Sequence, residues 1–143
     1  MAIKRASVTW KGGLEDGTGT IREVGSGAVG PLDVSWPART GDESGTTSPE
    51  ELIAAAHASC MSMALSNVLG EAGTPPEELS VSAAVTFVPG TGITSSELEV
   101  TGRVPGISEK EFVEAAETAK DNCPVSKALN DDVEVGVTAR LAA

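Results

Sequence analysis

The chain has 143 residues, with ten basic against twenty-one acidic side chains and a net charge of −11. That balance excludes the basic footprint a nucleic-acid surface needs, and it favours solubility. Two cysteines, one histidine, two Trp, two Phe and no Tyr complete a composition of ordinary apolar content, enough for one domain or two small lobes.

Ile3–Trp10 alternates, with Ala6, Val8 and Trp10 on one side and Arg5, Ser7 and Thr9 on the other, which predicts a strand. The glycine-rich turn at 11–19 lacks the Gly-Lys-Ser/Thr ending of a phosphate loop, and Glu15 and Asp16 would repel phosphate. Gly19–Val24 reads as the return strand, and Leu32, Val34 and Trp36 mark a third. Pro37–Thr46 reads as a polar loop. It contains Arg39, apart from His57 the only basic residue between Glu23 and Gly102. Standing just before the central helix, Arg39 is expected to face inward.

The helix is the stretch Thr47–Gly70, TSPEELIAAAHASCMSMALSNVLG. Ser48 is its N-cap, Pro49 its first residue and Glu51 the third after the cap, while Gly70 supplies the stop. No formal charge occurs between Glu51 and Glu71, and the apolar residues do not keep to one face, so the helix is expected to be buried all round. A membrane span of this length would be weak, being mostly Ala and Ser with His57 and Asn67 and no flanking basic cluster. With no leader-like segment at the N-terminus, the expectation is a soluble cytoplasmic protein without membrane partners.

Residues 71–78 form a Pro/Gly-rich connection, the best candidate for a hinge between lobes 1–74 and 75–143 of a single domain. Leu79–Val88 and Ser96–Val104 alternate on either side of a Pro-Gly turn and predict a hairpin with one wet face. Ser108 and Glu111 make a capping box for a helix Glu109–Asp121, with Phe112, Val113, Ala115, Ala116 and Ala119 inward. Val133, Val135, Val137, Ala139 and Leu141 mark the last strand. The class is α+β, antiparallel sheets folded over a long buried central helix. One chain supplies too little surface to cover that helix. Ala54, Ala55, Ala56, Ala58 and Ser59 permit close approach of a symmetric mate, so a homodimer is expected.

Two cysteines without secretory context are more often chemical than structural. Pro124 ends one helix and can start the next, which puts Cys123 beside a helix N-terminus, where a thiol pKa falls. Cys60 is mid-helix, where burial alone would make it inert, so reactivity there requires a cation. Arg39 is the obvious supplier, with Glu50 or Glu51 holding the guanidinium. Glu50 and Cys60 are separated by roughly 15 Å of helix rise, so an Arg39 bridge, or a Glu50 from an antiparallel mate, would have to close the distance.

TSPEELIAAAHASCMSMALS, followed by NCPVSKAL, resembles the OsmC/Ohr family of osmotically inducible and organic hydroperoxide resistance proteins, in its OsmC-like branch. The resemblance covers nearly the whole chain. It implies an intertwined homodimer whose sheets wrap two central helices, with active sites at the interface. Carried over residue by residue, it implies Cys60 as the peroxidatic cysteine, Cys123 as the resolving one, Arg39 as the activating arginine and Glu50 as its orienting partner. The implied activity is a peroxidase that reduces organic hydroperoxides to alcohols through a Cys60 sulfenic acid and a Cys60–Cys123 disulfide. It implies no metal, haem or flavin, only an external dithiol reductant, lipoyl-type in some members. A site walled by Leu52, Met61, Met63 and Phe87 would favour organic peroxides.

Two other readings stand beside this one. His57, three residues before Cys60 on one helix face, could form a Cys–His hydrolase pair, although a buried, hydrogen-bonded structural histidine is the commoner case. An apolar-ligand binding module with Cys60 merely packed is the third reading. Zinc is weaker still, because no C-x-x-C or H-x-x-x-H spacing occurs.

Overall fold

The computed structural model describes residues 1–41, 45–129 and 131–143, in two compact units, Met1–Leu52 and Ile53–Ala143. The division therefore falls inside the central helix, between Leu52 and Ile53, and not in the connection at 71–78.

The first unit is a three-stranded antiparallel sheet, β1 (Ala6–Lys11), β2 (Thr18–Val24) and β3 (Leu32–Val34), in that order. β1 begins at Ala6, later than the alternation from Ile3 suggested. Its side chains stay open: Val8 is 57% and Trp10 40% exposed, and the apolar residue buried in this unit is Ile21. Gly19 has a steric reason, since a Cβ there would come within 2.7 Å of the Trp10 ring and 2.8 Å of Val34. The expected loop at 37–46 begins instead as a short helix, α1 (Trp36–Thr40). Ser35 caps it by accepting from the Ala38 N–H at 3.1 Å, and Pro37 sits where no intrahelical N–H is needed. Positions 42–44 of that loop lie outside the described residues.

Helix α2 (Pro49–Glu71) starts where its cap signals put it, with the Glu51 N–H donating to Ser48 Oγ at 3.2 Å. The Glu51 carboxylate accepts from Thr47 Oγ1 at 2.8 Å. Burial is confined to a stripe: His57, Met61, Leu65 and Leu69 are at most 2% exposed, at the fourfold spacing that lines one helix face. Met63 is 72% exposed, and Ala55, Ala56, Ser59, Ser66 and Asn67 are also open. The expectation of burial on every side thus fails within one chain, because the second unit covers α2 from one direction only. By length and composition α2 could cross a membrane, but its buried stripe is spent on the core of its own unit.

The second unit carries the sheet β4 (Glu78–Val88), β5 (Gly92–Arg103) and β6 (Glu134–Leu141). β4 and β5 are the expected antiparallel hairpin, whereas β6 lies parallel to β5. A parallel neighbour requires a crossover connection, and α3 (Glu109–Asn122) with α4 (Pro124–Ala128) provides it. The capping box of α3 is complete: Ser108 N–H donates to Glu111 Oε2 at 2.7 Å and Glu111 N–H to Ser108 Oγ at 3.2 Å. Phe112, Ala116 and Ala119 of α3 are fully buried against Leu98, Val100 and the α2 stripe. Val113, expected inward, is 38% exposed, because it falls one residue off that stripe. Phe112 lies on Gly102 of β5, where a Cβ would stand 2.5 Å from Cζ.

Candidate active site

Unit by unit, the expected site residues fall into two pairs. In the first unit Arg39, in the last turn of α1, donates from Nε to Glu50 Oε1 at 2.8 Å. Glu50 lies in the first turn of α2 and only 6% of it is exposed. It is Glu50 that takes the guanidinium, since Glu51 faces Thr47. The Arg39 guanidinium also lies 6.0 Å from the centre of the Trp36 ring, at the outer range of cation–π attraction. Among the described residues Glu50 Oε2, which is buried, has no hydrogen-bond partner. Beside the pair, Val8, Trp10, Ile21, Val34, Trp36 and Leu52 line most of an apolar cavity of about 310 Å³.

In the second unit α2 supplies Cys60 and the α3–α4 junction supplies Cys123. Cys123 closes α3 through its N–H to Ala119 O at 2.8 Å and opens α4 through its carbonyl, which accepts from Lys127 N–H at 3.0 Å. Both cysteines are free thiols; Cys60 is half-buried and Cys123 fully buried. The two thiols lie close enough to shift each other's pKa, and the Val125 N–H lowers both.

These contacts order the two thiols. Burial pushes the Cys60 thiol up, the Val125 N–H draws it partly back, and Cys123 raises it further by hydrogen bond and charge. At Cys123 burial also raises the thiol, but the Ser126 N–H, the Cys60 thiol, the Ser126 hydroxyl and the Val125 N–H together bring it below the usual value. Within this unit, therefore, Cys123 is the better thiolate. Burial raises Cys60, as expected for a mid-helix cysteine without a cation beside it.

His57, fully buried, does not turn toward Cys60 as a hydrolase base would. Its Nδ1 lies 2.6 Å from Ser96 Oγ and its Nε2 lies 2.8 Å from Ser126 Oγ. Burial lowers its pKa and keeps the imidazole neutral. The buried structural histidine is the reading that fits. Sequence reasoning missed Ser96 and Ser126. One signal was present: Ser96 continues the inward face of Leu98 and Val100 on β5, a position where an apolar side chain would be expected.

The expected apolar wall is only partly found. Met61 is fully buried and Phe87 half-buried, but Met63 is 72% exposed and Leu52 36% exposed. Both project from α2 away from its buried stripe. Among the described residues, no three His, Cys, Asp or Glu side chains gather where they could hold a metal.

Residues 41–138 match the family model described as OsmC-like protein. The chain is 38% identical over 133 residues to Peroxiredoxin OsmC of Escherichia coli strain K12, covering 91% of this chain and 92% of that one. An organic hydroperoxide resistance protein of Bacillus subtilis has a similar solved structure, with 27% identity and a TM-score of 0.68 over 95% of this chain and 98% of that one. Another, from Legionella pneumophila, has 25% identity and a TM-score of 0.69 over 98% and 99% of the two chains. By the match to the family model and the identity to the curated relative, the chain belongs to the OsmC-like protein family.

Proposed function

We propose that this protein is a thiol-dependent peroxidase that reduces organic hydroperoxides to alcohols. The observation that carries the reading is a pair of free thiols, Cys60 and Cys123, one half-buried and one fully buried, each of which shifts the other's pKa. The names of the relatives agree with it: one is a peroxiredoxin, others are organic hydroperoxide resistance proteins.

In this scheme the Cys60 thiolate attacks the distal oxygen of the hydroperoxide. The O–O bond breaks, the alkoxide leaves and is protonated to the alcohol, and Cys60 becomes a sulfenic acid. Cys123 then displaces the sulfenic oxygen as water, giving a Cys60–Cys123 disulfide. An external dithiol, lipoyl-type by family resemblance, reopens it by thiol–disulfide exchange. The scheme needs no metal or organic cofactor. Because burial and Cys123 both raise the Cys60 pKa, it assigns Arg39, held by Glu50, as the cation that favours the Cys60 thiolate. It also assigns the open face of α2, small residues around Met63, to the matching face of a second copy in a homodimer.

Cys60→Ser should abolish turnover of cumene hydroperoxide; retained turnover would remove the assignment. The apolar cavity of the first unit favours one competing reading, a binding module for an apolar ligand. One equivalent of cumene hydroperoxide separates the two. Loss of both thiols supports the peroxidase, and loss of neither supports the binder.

A further inference from the structure

Solvent reaches the two thiols unequally. Cys60 is half-buried, whereas Cys123 has no exposed surface. Backbone bonds keep Cys123 covered: its N–H closes α3 on Ala119 O at 2.8 Å, and its carbonyl opens α4 by accepting from Lys127 N–H at 3.0 Å. Uncovering its sulfur therefore means opening the junction of two helices. Cys60 lies within one continuous helix, α2, where its neighbours four residues away are exposed Ala56 and half-buried Ala64. Neither carries more than a methyl group, so α2 places no bulk beside the sulfur at those two positions.

The difference matters when a disulfide is reopened. Thiol–disulfide exchange is a displacement at one sulfur while the other leaves, and access to the attacked sulfur helps set the rate. We propose that the external dithiol attacks Cys60 of the Cys60–Cys123 disulfide, with Cys123 as the leaving group that never bonds to the reductant. The inference deepens the peroxidase reading and rests on it for the disulfide itself. Acidity works in the same direction. Burial and Cys123 push the Cys60 thiol up, Cys123 lies below its usual value, and the more acidic thiol is the better leaving group.

One thiolate of the dithiol brings its electron pair to the Cys60 sulfur. The Cys60–Cys123 bond breaks, its pair stays on Cys123, and Cys123 departs as a thiolate. A mixed disulfide now joins Cys60 to the reductant. The second thiol of the reductant attacks the reductant sulfur of that bond and releases Cys60 as a thiolate. Two electrons have passed to the protein, both thiol protons of the reductant have passed to solvent, and the reductant leaves as a cyclic disulfide.

Two measurements on the full-length protein, as it assembles in solution, test the choice of sulfur. In the first, the protein is oxidised with one equivalent of cumene hydroperoxide and mixed with glutathione, a monothiol that has no second thiol to complete the exchange. Early samples are quenched into acidic denaturant with N-ethylmaleimide and mapped by peptide mass. Glutathione should be found on Cys60 and maleimide on Cys123, in about tenfold excess over the reverse arrangement. Glutathione on Cys123 as often as on Cys60 overturns the proposal.

The second measurement isolates access and needs no peroxide. Cys123→Ser and Cys60→Ser each keep one thiol, and each protein is treated with oxidised glutathione, folded and in denaturant. Corrected for thiolate fraction, the folded protein should form the mixed disulfide about tenfold faster at Cys60 than at Cys123, and the gap should close in denaturant. Equal rates in the folded proteins overturn the argument from burial. If the hydroperoxide leaves both thiols of the unmutated protein reduced, the peroxidase reading fails. Oxidation with diamide then puts the disulfide in place, and the glutathione mapping still decides which sulfur is attacked. A pair that diamide also fails to join overturns the proposal.

Discussion

Cys60 and Cys123 shift each other in opposite directions: Cys123 raises the Cys60 thiol, and Cys60 lowers the Cys123 thiol. Each therefore changes when the other is removed. Cys123→Ala takes away a hydrogen bond and a charge that raise Cys60, so the Cys60 pKa should fall, burial still holding it up. Cys60→Ala takes away a donor to Cys123, so the Cys123 pKa should rise. Alkylation rates against pH in the two single variants read both directions. Identical midpoints in both variants would mean that the sulfurs do not interact.

Arg39 and Glu50 form an ion pair whose carboxylate is almost wholly buried and whose guanidinium is about one-third exposed, at 32%. Removing the arginine leaves a buried carboxylate without this cation, and among the described residues one of its oxygens already has no hydrogen-bond partner. Arg39→Ala should therefore cost about 1–3 kcal/mol, discounted from a fully buried pair for the solvent at the arginine. The double variant Arg39→Ala/Glu50→Gln should recover part of that loss. Urea unfolding of the two single variants and the double measures the coupling; strictly additive losses would mean the pair contributes nothing.

Much of this fold was legible because its segments are locally consistent. The inward set Leu79, Val81, Ala83, Val85 and Phe87 alternates without error, and the structure keeps it, with those five half-buried and the residues between them exposed. Capping chemistry located the starts of α2 and α3 at Ser48 and Ser108. Two kinds of information were not local. Whether β6 runs parallel or antiparallel to β5 depends on the crossover through α3 and α4, which alternation alone does not encode. Burial of α2 depends on how many neighbours one chain can bring to it, and an all-round apolar pattern does not say how many come from the same chain. At the site, the cysteines announced themselves by rarity and by Pro124. Ser96 and Ser126 did not, because serine in a strand or a short helix usually carries no chemistry.

Gly102 lies under the Phe112 ring, and the contact leaves no room for a methyl group. Gly102→Ala forces either the ring or β5 to move, at the centre of the buried cluster of the second unit. Overpacking of this kind should cost about 1–3 kcal/mol. A thermal or urea midpoint lowered accordingly is the expected result. Gly70→Ala, on α2 where a Cβ meets nothing within 4 Å of the chain, is the matched control and should be neutral or slightly stabilising in the monomer.

His57 gives the molecule a specific acid sensitivity. In the folded protein burial lowers its pKa from 6.5, while in the unfolded chain it keeps the ordinary value. The sign follows from proton counting. Above pH 6.5 both states hold a neutral imidazole and the fold keeps its full stability. As pH falls below that value the unfolded chain takes up a proton that the folded one refuses, so stability declines until the folded pKa is passed. One such group can contribute a slope of at most about 1.4 kcal/mol per pH unit. The chain has one histidine, so the His57 part of the decline below pH 6.5 is the difference between the unmutated protein and a variant that lacks it. Urea unfolding at stepped pH should show it in the unmutated protein. In His57→Gln, which cannot take up the proton, the curve over the same window should fall less steeply, even if lower throughout. An equal slope in both proteins would mean that His57 is solvated in the folded state and that its two serine contacts do not persist in solution.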